Sequence, residues 1–269
     1  MDSRPIGVVD SGLGGLSVIK ELNRVLPDEN IVYFGDTGRV PYGTKSPKTI
    51  IKYAKEDESF LLSHDVKLII AACGTVSSVA RETGEQLPVP FIEVVTPGAK
   101  AAVESTKNGK IGVIGTAATV KSGSYKKAML SLDDSISVFQ EACPLFVQLV
   151  EEGWINKDDE VTRLTAERYL KPLKEEGVDT LILGCTHFPA ISEIIADIMG
   201  EGVTLINTGE QAAKAAADYL KQNDLLGEGS CKRFFVSDRA DSFKSVANIL
   251  LGSEIEGEVE MVSLETVLK

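Results

Sequence analysis

The chain has 269 residues, of which 43% are hydrophobic, enough to bury one large core or two ordinary ones. Its net charge of −12 argues against nucleic acid or an anionic membrane surface as a partner, since both need a basic surface. No apolar run reaches the roughly 18 residues of a membrane span, and the start of the chain lacks a signal-peptide pattern, so we expect a cytoplasmic protein with reduced thiols.

The first predicted strand, residues 5–9, leads into the glycine loop Asp10-Ser-Gly-Leu-Gly-Gly-Leu16 and an amphipathic helix. A glycine loop between a strand and a helix is typical of anion sites. Gly12-x-Gly14 is nevertheless followed by Ser17 where a dinucleotide fingerprint needs a third glycine, and Asp10 would repel a phosphate. A tight turn without a ligand fits this loop equally well.

A strand at 30–35 and an irregular loop precede a helix that Ser46 caps and Pro47 opens. His64, at the end of this helix, is predicted to be a solvated cation. The next strand ends at Cys73, and a helical pattern covers 76–87. With a strand at 91–95 and a helix at 97–107, the alternation predicts parallel strands with helices on both faces.

The pattern then restarts, because Lys110-Ile-Gly-Val-Ile-Gly-Thr116 echoes Pro5-Ile-Gly-Val-Val-Asp-Ser11. A helix at 119–130, a strand at 136–139, a structural Cys143 and a helix at 158–176 follow. A strand then ends near Cys185, and Pro189 opens a helix at 190–199, which predicts that Cys185 lies near a helix N-terminus that favours the thiolate. The last strand of this half covers 203–207.

The repeated strand pattern, with one cysteine at a later strand end in each half, predicts an α/β protein of two pseudo-twofold related domains, each a mostly parallel sheet flanked by helices. The segment after 207, with a helix at 210–220, strands at 233–236 and 258–262 and a helix at 241–250, is expected to return to the first domain, with Cys231 in its core. We therefore predict a first domain of residues 1–96 plus 208–269, which carries Cys73, and a second of 97–207, which carries Cys185.

Cys73 and Cys185 both fall at the carboxyl ends of strands, where parallel sheets bind their ligands. If the halves face each other, two thiols flank one pocket at the domain interface. A thiolate base on one side and a thiol acid on the other suit racemisation next to a carboxylate, since a thiol pKa of about 8.5 is close to neutrality. Asp10 and His187 are candidate assistants, one on each side.

The strings that carry these residues closely resemble glutamate racemase. They are Val9-Asp-Ser-Gly-Leu-Gly-Gly-Leu16, Tyr33-Phe-Gly-Asp-Thr37, Pro41-Tyr-Gly43, Ala72-Cys-Gly-Thr75, Gly115-Thr-Ala-Ala-Thr-Val120, Cys143-Pro-Leu-Phe-Val147 and Leu183-Gly-Cys-Thr-His-Phe-Pro189. The resemblance implies a cofactor-independent, two-base interconversion of L- and D-glutamate that supplies D-glutamate for bacterial peptidoglycan. It implies no metal, and it implies a homodimer.

By position, the resemblance implies that Cys73 is the base acting on D-glutamate and Cys185 the base acting on L-glutamate. It adds Asp10, His187 and a glutamate, Glu151 or its neighbour Glu152, as assisting groups. The implied substrate contacts are Asp10, Ser11, Tyr42, Gly43, Gly74, Thr75, Thr119, Thr186 and His187.

One departure concerns Gly74, because the family string usually reads Ala-Cys-Asn-Thr. Loss of the amide side chain predicts a looser or wetter pocket. The chain could therefore also be an aspartate racemase, a hydantoin racemase or a related decarboxylase built on the same scaffold. A cysteine hydrolase with Cys185 and His187 is a second alternative, although residues two apart on a turn need not face each other and Cys73 would have no role. A third alternative is a two-lobed protein that binds small anions. A metal site at Cys185 and His187 is a further alternative, but the sequence shows no third or fourth ligand for it.

Overall fold

The strands of this computed structural model, which describes residues 1–238, 240–255 and 259–264, form two parallel sheets. All strand pairings among these residues are parallel, as predicted. The strands are β1 (Ile6–Asp10), β2 (Ile31–Gly35), β3 (Leu68–Ala71), β4 (Phe91–Glu93), β5 (Lys110–Gly115), β6 (Ser137–Ala142), β7 (Thr180–Leu183), β8 (Thr204–Asn207), β9 (Lys232–Val236) and β10 (Val259–Met261).

Helices follow most of these strands, as the alternating pattern predicts. They are α1 (Leu16–Val25), α2 (Pro47–Leu62), α3 (Gly74–Val79), α4 (Arg81–Gly84), α5 (Val95–Ser105), α6 (Ala117–Ser122), α7 (Ser124–Leu132), α8 (Pro144–Glu151), α9 (Glu160–Glu175), α10 (Ser192–Met199), α11 (Thr208–Gln222) and α12 (Ala240–Leu251). Within the described part of the chain, none of the helices has the length and apolar character needed to cross a membrane.

The two sheets repeat one strand order. The larger sheet runs β10-β9-β2-β1-β3-β4 and the smaller β6-β5-β7-β8, so β5 to β8 are arranged as β1 to β4 are. The two Ile-Gly-Val strands, β1 and β5, occupy equivalent central positions. The last two strands extend the first sheet beside β2, so the chain after α11 returns to it. The domain boundaries at residues 97 and 207 stay a prediction.

The local signals at two helix starts have the expected physical form. Ser46 accepts a hydrogen bond from Thr49 N at 3.3 Å, and Pro47 occupies the first turn of α2, where no partner for its nitrogen is needed. Leu16 and Ile19 of α1 are fully buried in the core that the helix shares with β1.

Two predicted helices are each divided in two. Gly123, with φ +65°, takes the left-handed conformation that ends α6 before α7 begins. Ala80, with φ −121°, separates α3 from α4. Its carbonyl accepts a hydrogen bond from the Thr83 hydroxyl at 2.7 Å, a side-chain contact that competes with continuous helix formation.

Cys185 lies just before a 3₁₀ turn, Phe188–Ile191, which has Pro189 at its start and leads into α10. The Cys185 carbonyl accepts a hydrogen bond from Phe188 N at 3.1 Å. Two predictions for other single residues are wrong. Cys231 is exposed, because it precedes β9 at the end of the strand instead of pointing into the sheet core. His64 is half-buried, with its ring packed against Phe60 and Phe235 at centroid distances of 4.6 and 4.8 Å, and is not simply solvated.

Candidate active site

The two cysteines of the repeated strand ends line one cavity. Cys73 follows β3 and Cys185 follows β7, the equivalent strand of the second sheet. Their exposed fractions are only 5% and 6%. The cavity has a volume of about 210 Å³, below the roughly 300–1,000 Å³ typical for drug-sized ligands, so it suits a substrate of few atoms.

Cys73 lies in a setting that keeps its proton. Its Sγ donates a hydrogen bond to Ser11 Oγ at 3.2 Å. Burial, followed by the nearby carboxylate of Asp10, raises the pKa of the Cys73 thiol to about 12. At neutral pH Cys73 is therefore a thiol and a potential proton donor.

Asp10 ends β1 behind the wall of the cavity and does not line it directly. Its Oδ2 accepts a hydrogen bond from Gly12 N at 2.9 Å, while Oδ1 has no partner among the described residues. Burial raises the pKa of Asp10, against the opposing effects of the His187 charge and the backbone N–H of Gly12. Asp10 thus acts electrostatically on both sides of the pocket, not only on the predicted Cys73 side.

The Cys185 side carries a chain of three polar groups. Cys185 Sγ lies 3.8 Å from His187 Nδ1, and His187 Nε2 lies 2.9 Å from Glu151 Oε1 at the end of α8. Burial lowers the pKa of His187, but the hydrogen bonds to Cys185 and Glu151 outweigh it and raise the pKa to about 10. A protonated His187 can donate a hydrogen bond to a Cys185 thiolate. Of the two candidate glutamates, Glu151 faces this site and Glu152 caps the helix end.

Tyr42 and Gly43, two of the predicted substrate contacts, line the cavity from the loop after β2. The Tyr42 hydroxyl, however, lies within hydrogen-bond distance of the carboxyl groups of both Asp36 and Asp57, the latter at 2.9 Å. Tyr42 therefore contributes to the wall of the cavity, while its hydroxyl belongs to a buried network with Arg39.

A chain of three threonine hydroxyls connects the two halves beside the pocket. Thr75 Oγ1 lies 3.0 Å from Thr116 Oγ1, which lies 3.0 Å from Thr119 Oγ1. Thr75 and Thr116 line the cavity, whereas Thr119 is fully buried behind them. Thr119, a predicted substrate contact, therefore does not line the cavity itself. Thr116 does, and the repeat could have indicated it because Thr116 occupies the position equivalent to Ser11.

Gly74 does not leave the looser pocket that its missing amide predicts. A Cβ built on Gly74 would lie 2.3 Å from the Gly184 carbonyl oxygen, so the backbone of the second half occupies the space. The prediction was wrong because loss of a side chain lets neighbouring segments close in as readily as it leaves a void.

The glycine loop after β1 also lets the backbone of the first half approach side chains of the second half closely. A Cβ on Gly14 would lie 2.0 Å from Thr186 Oγ1 and 2.7 Å from the His187 ring. The loop thus packs against two predicted site residues of the second half, both of which line the cavity.

The remaining lining residues lie within or directly beside the quoted motifs, and they escaped prediction because they carry no distinctive chemistry of their own. They are Gly12, Val40, Pro41, Val147, Gln148 and Gly184. A larger cleft of about 640 Å³ lies beside Arg39 and Tyr53, but no cysteine or histidine is found among the described residues that line it.

The distance between Cys185 and His187 also overturns the spacing argument against a hydrolase, since the two side chains do face each other. This site still differs from the nucleophile and base of a cysteine hydrolase, because a second buried thiol, Cys73, lies in the same cavity.

The fold and the cavity define a two-sheet α/β enzyme with paired cysteines at equivalent strand ends. The sequence profile of the Asp/Glu/Hydantoin racemase family matches residues 6–216, and the chain belongs to this family. It is 46% identical to a glutamate racemase of Geobacter metallireducens over 98% of both chains. Its structure is similar to that of a glutamate racemase of Francisella tularensis in complex with D-glutamate, with a TM-score of 0.91 and 40% identity over 99% of this chain and 100% of that one. A glutamate racemase of Bacillus anthracis gives a TM-score of 0.93 with 38% identity over 98% and 99% of the two chains.

Proposed function

We propose that this chain is a glutamate racemase that interconverts L- and D-glutamate without a cofactor: one thiolate removes the Cα proton, and the thiol on the opposite side delivers its own proton to the other face. The observation that carries the proposal is the pair of buried cysteines, Cys73 and Cys185, in one small cavity. The close relatives named glutamate racemase favour glutamate over the other substrates of the family.

In the L-to-D direction, Cys185 as thiolate removes the Cα proton and becomes a thiol. The electron pair left on Cα is delocalised into the α-carboxylate. Cys73 then delivers its proton to the opposite face and becomes the thiolate. In the D-to-L direction the roles are exchanged. Between turnovers in one direction the thiols must return to their starting protonation states, and His187 beside Cys185 and Asp10 near Cys73 would assist these proton transfers.

Hydroxyl and backbone groups would hold the two carboxylates of the substrate. None of the described cavity-lining residues is a lysine or arginine. Short, oriented O–H and N–H groups in a water-poor site can supply the same attraction without a mobile cation. The proposed contacts that line the cavity are Ser11, Tyr42, Gly43, Gly74, Thr75, Thr116, Thr186 and His187, with Asp10 and Thr119 supporting them from behind.

Several finer parts of the proposal rest on the resemblance. D-glutamate would serve peptidoglycan synthesis in the cytoplasm, a reducing compartment that keeps both thiols free. The acidic chain is not expected to bind nucleic acid or membranes.

A homodimer is expected. Large apolar side chains exposed on α8, α9 and the loop between them are candidates for its interface: Leu145, Trp154, Val161 and Leu164. Light scattering after size-exclusion chromatography tests the dimer.

The experiment that tests the function is incubation of the purified protein with D-glutamate in deuterium oxide. Proton NMR follows exchange at Cα, and circular dichroism follows optical activity. Deuterium entry with loss of optical activity supports racemisation. No exchange with either enantiomer of glutamate contradicts the substrate assignment, and aspartate is the next compound to test.

The chain of Glu151, His187 and Cys185 favours one second candidate, a cysteine hydrolase. This candidate gives Cys73 no role. Hydrolysis of an activated ester or amide that survives Cys73→Ser, without exchange at Cα of glutamate, would favour the hydrolase.

A further inference from the structure

A buried tyrosine of the first sheet binds the backbone of the glycine loop. Tyr33 of β2 is fully buried, and its hydroxyl donates a hydrogen bond to Gly12 O at 2.8 Å. Burial, followed by the charges of Asp10 and Cys73, raises the pKa of the Tyr33 hydroxyl well above its usual value. The phenol therefore keeps its proton at neutral pH and remains a donor.

Both polar groups of the Gly12 backbone are bound inside the protein. Gly12 N donates to Asp10 Oδ2 at 2.9 Å, an Asx turn in which a side chain takes the place of a backbone acceptor. The Tyr33 hydroxyl is the donor that the described residues supply to Gly12 O. Ser11, which lies between Asp10 and Gly12, is thereby fixed at both ends.

Ser11 is the hydrogen-bond partner of only one of the two thiols. Cys73 Sγ donates to Ser11 Oγ at 3.2 Å, and both side chains line the cavity. A serine hydroxyl can rotate and donate instead when the thiol has lost its proton. Burial and the charge of Asp10 raise the pKa of Cys73, and the Ser11 hydroxyl opposes them. Cys185 faces His187, so a displacement of Ser11 acts on Cys73 alone.

We propose that Tyr33 is a positioning residue for proton transfer at Cys73, acting through the Gly12 carbonyl and the Ser11 hydroxyl. This inference rests on the two-thiol racemisation proposed above. Without the Tyr33 hydroxyl the buried Gly12 carbonyl lacks its donor, and the loop shifts to satisfy it. Ser11 then no longer meets the Cys73 thiolate, and the transition state for proton transfer at Cys73 rises in energy. The transition state at Cys185 is unchanged.

Tyr33→Phe tests this role with little change in packing. The phenylalanine ring keeps the contacts of the tyrosine ring with Phe234 and Phe243, at centroid distances of 6.1 and 6.4 Å. In this variant kcat/KM should fall about tenfold, the effect of one hydrogen bond lost near a reacting group. The fall must be equal for D- and L-glutamate, because the two enantiomers are equally stable. Rates alone therefore do not locate the slowed step.

Deuterium at Cα of the substrate locates that step. With deuterated D-glutamate in ordinary water, Cys73 removes the deuteron and Cys185 delivers a proton, so the isotope effect on kcat/KM reports the transfer at Cys73. With deuterated L-glutamate it reports the transfer at Cys185. In Tyr33→Phe the isotope effect should rise with D-glutamate and fall toward unity with L-glutamate. A merely structural role would lower kcat/KM and leave both isotope effects unchanged.

Two further variants control the comparison. Tyr169→Phe removes a tyrosine hydroxyl from α9, outside the cavity, where the ring packs against Phe146 at a centroid distance of 5.3 Å. It should keep kcat/KM and both isotope effects. Ser11→Ala removes the group through which Tyr33 acts, so it should change the two isotope effects in the same directions as Tyr33→Phe. Tyr33→Phe added to Ser11→Ala should lower kcat/KM by less than about twofold more.

The outcomes separate the two proposals. If the natural protein does not racemise glutamate, the proposed function is wrong. If it racemises, and folded Tyr33→Phe shows no opposite changes in the two isotope effects, the positioning role is wrong. If Tyr33→Phe does not fold, unchanged isotope effects in Ser11→Ala contradict the role equally. Alkylation reports folding, because the fully buried Cys143 should stay unmodified in every folded variant.

Discussion

Cys185 and His187 face each other across 3.8 Å, from Sγ to Nδ1, although only Thr186 separates them in the chain. The turn Phe188–Ile191 begins directly after His187. The other ring nitrogen of His187 is held by Glu151. On the opposite side the Cys73 thiol donates to the Ser11 hydroxyl and lies near Asp10, so the two thiols have different electrostatic settings.

Replacement of either thiol should strongly lower the racemisation rate but leave different residual exchange reactions. Cys73→Ser and Cys185→Ser should each lower the racemisation rate by about 10²–10⁴, the usual contribution of a positioned acid or base. Cys73→Ser should retain slow deuterium exchange into L-glutamate alone, and Cys185→Ser into D-glutamate alone, measured by NMR. The exposed Cys231→Ser is the control, and full racemisation by either active-site variant would contradict the two-base assignment.

The adjacent glutamates Glu151 and Glu152 should differ in effect. Glu151→Gln removes the carboxylate that lies 2.9 Å from His187, and kcat should fall about tenfold, equivalent to about 1.4 kcal/mol in activation free energy. Glu152→Gln should leave kcat unchanged, because Glu152 caps the end of α8 in solvent. Steady-state kinetics with both enantiomers measures the difference, and equal losses would contradict the placement of Glu151.

Protonation of His187 should make the stability of the protein depend on pH. Its pKa is raised from 6.5 to about 10, so its contribution is fully present below pH 6.5 and is lost as pH rises through 10. Urea unfolding of the natural protein and of His187→Gln should therefore differ most below pH 6.5, with the difference shrinking toward pH 10. Since the Glu151 side chain is 42% exposed, solvent weakens its ion pair with His187, and the effect should be small. A difference in unfolding free energy that stays constant across this pH range would contradict a protonated His187.

Arg39 should be essential for stability through the network that holds Tyr42. Its guanidinium lies 2.6 Å from Asp36 and 2.7 Å from Asp57, two carboxyl groups that are almost fully buried. Burial and the charge of Asp36 raise the pKa of Asp57 well above its usual value, against the opposing charge of Arg39. Arg39→Met should lower the free energy of unfolding by about 3 kcal/mol, measured with urea.

Arg4 offers the matched control for this loss. It pairs with Asp2 at 2.7 Å, but its side chain is 44% exposed, and such pairs contribute less than about 1 kcal/mol. Similar small effects of Arg39→Met and Arg4→Met would show that the Arg39 network does not hold the loop.

The sequence by itself determined the order of the strands and helices, and it identified the two cysteines that line the cavity. Apolar runs that end in Cys73 and Cys185 are local signals, and the restart at residue 110 predicts a second sheet of the same order, which the structure contains. Helix ends were less predictable, because breaks such as that at Ala80 depend on a side-chain hydrogen bond.

Only the tertiary structure decided how the two halves meet. It places Glu151, rather than Glu152, beside His187, and it places Thr116, rather than Thr119, in the cavity wall. It directs the Tyr42 hydroxyl toward Asp57. It also fills the space beside Gly74 with the Gly184 carbonyl. Each of these contacts joins residues far apart in the chain, and its geometry follows from the packing of whole sheets and helices, which no local pattern specifies.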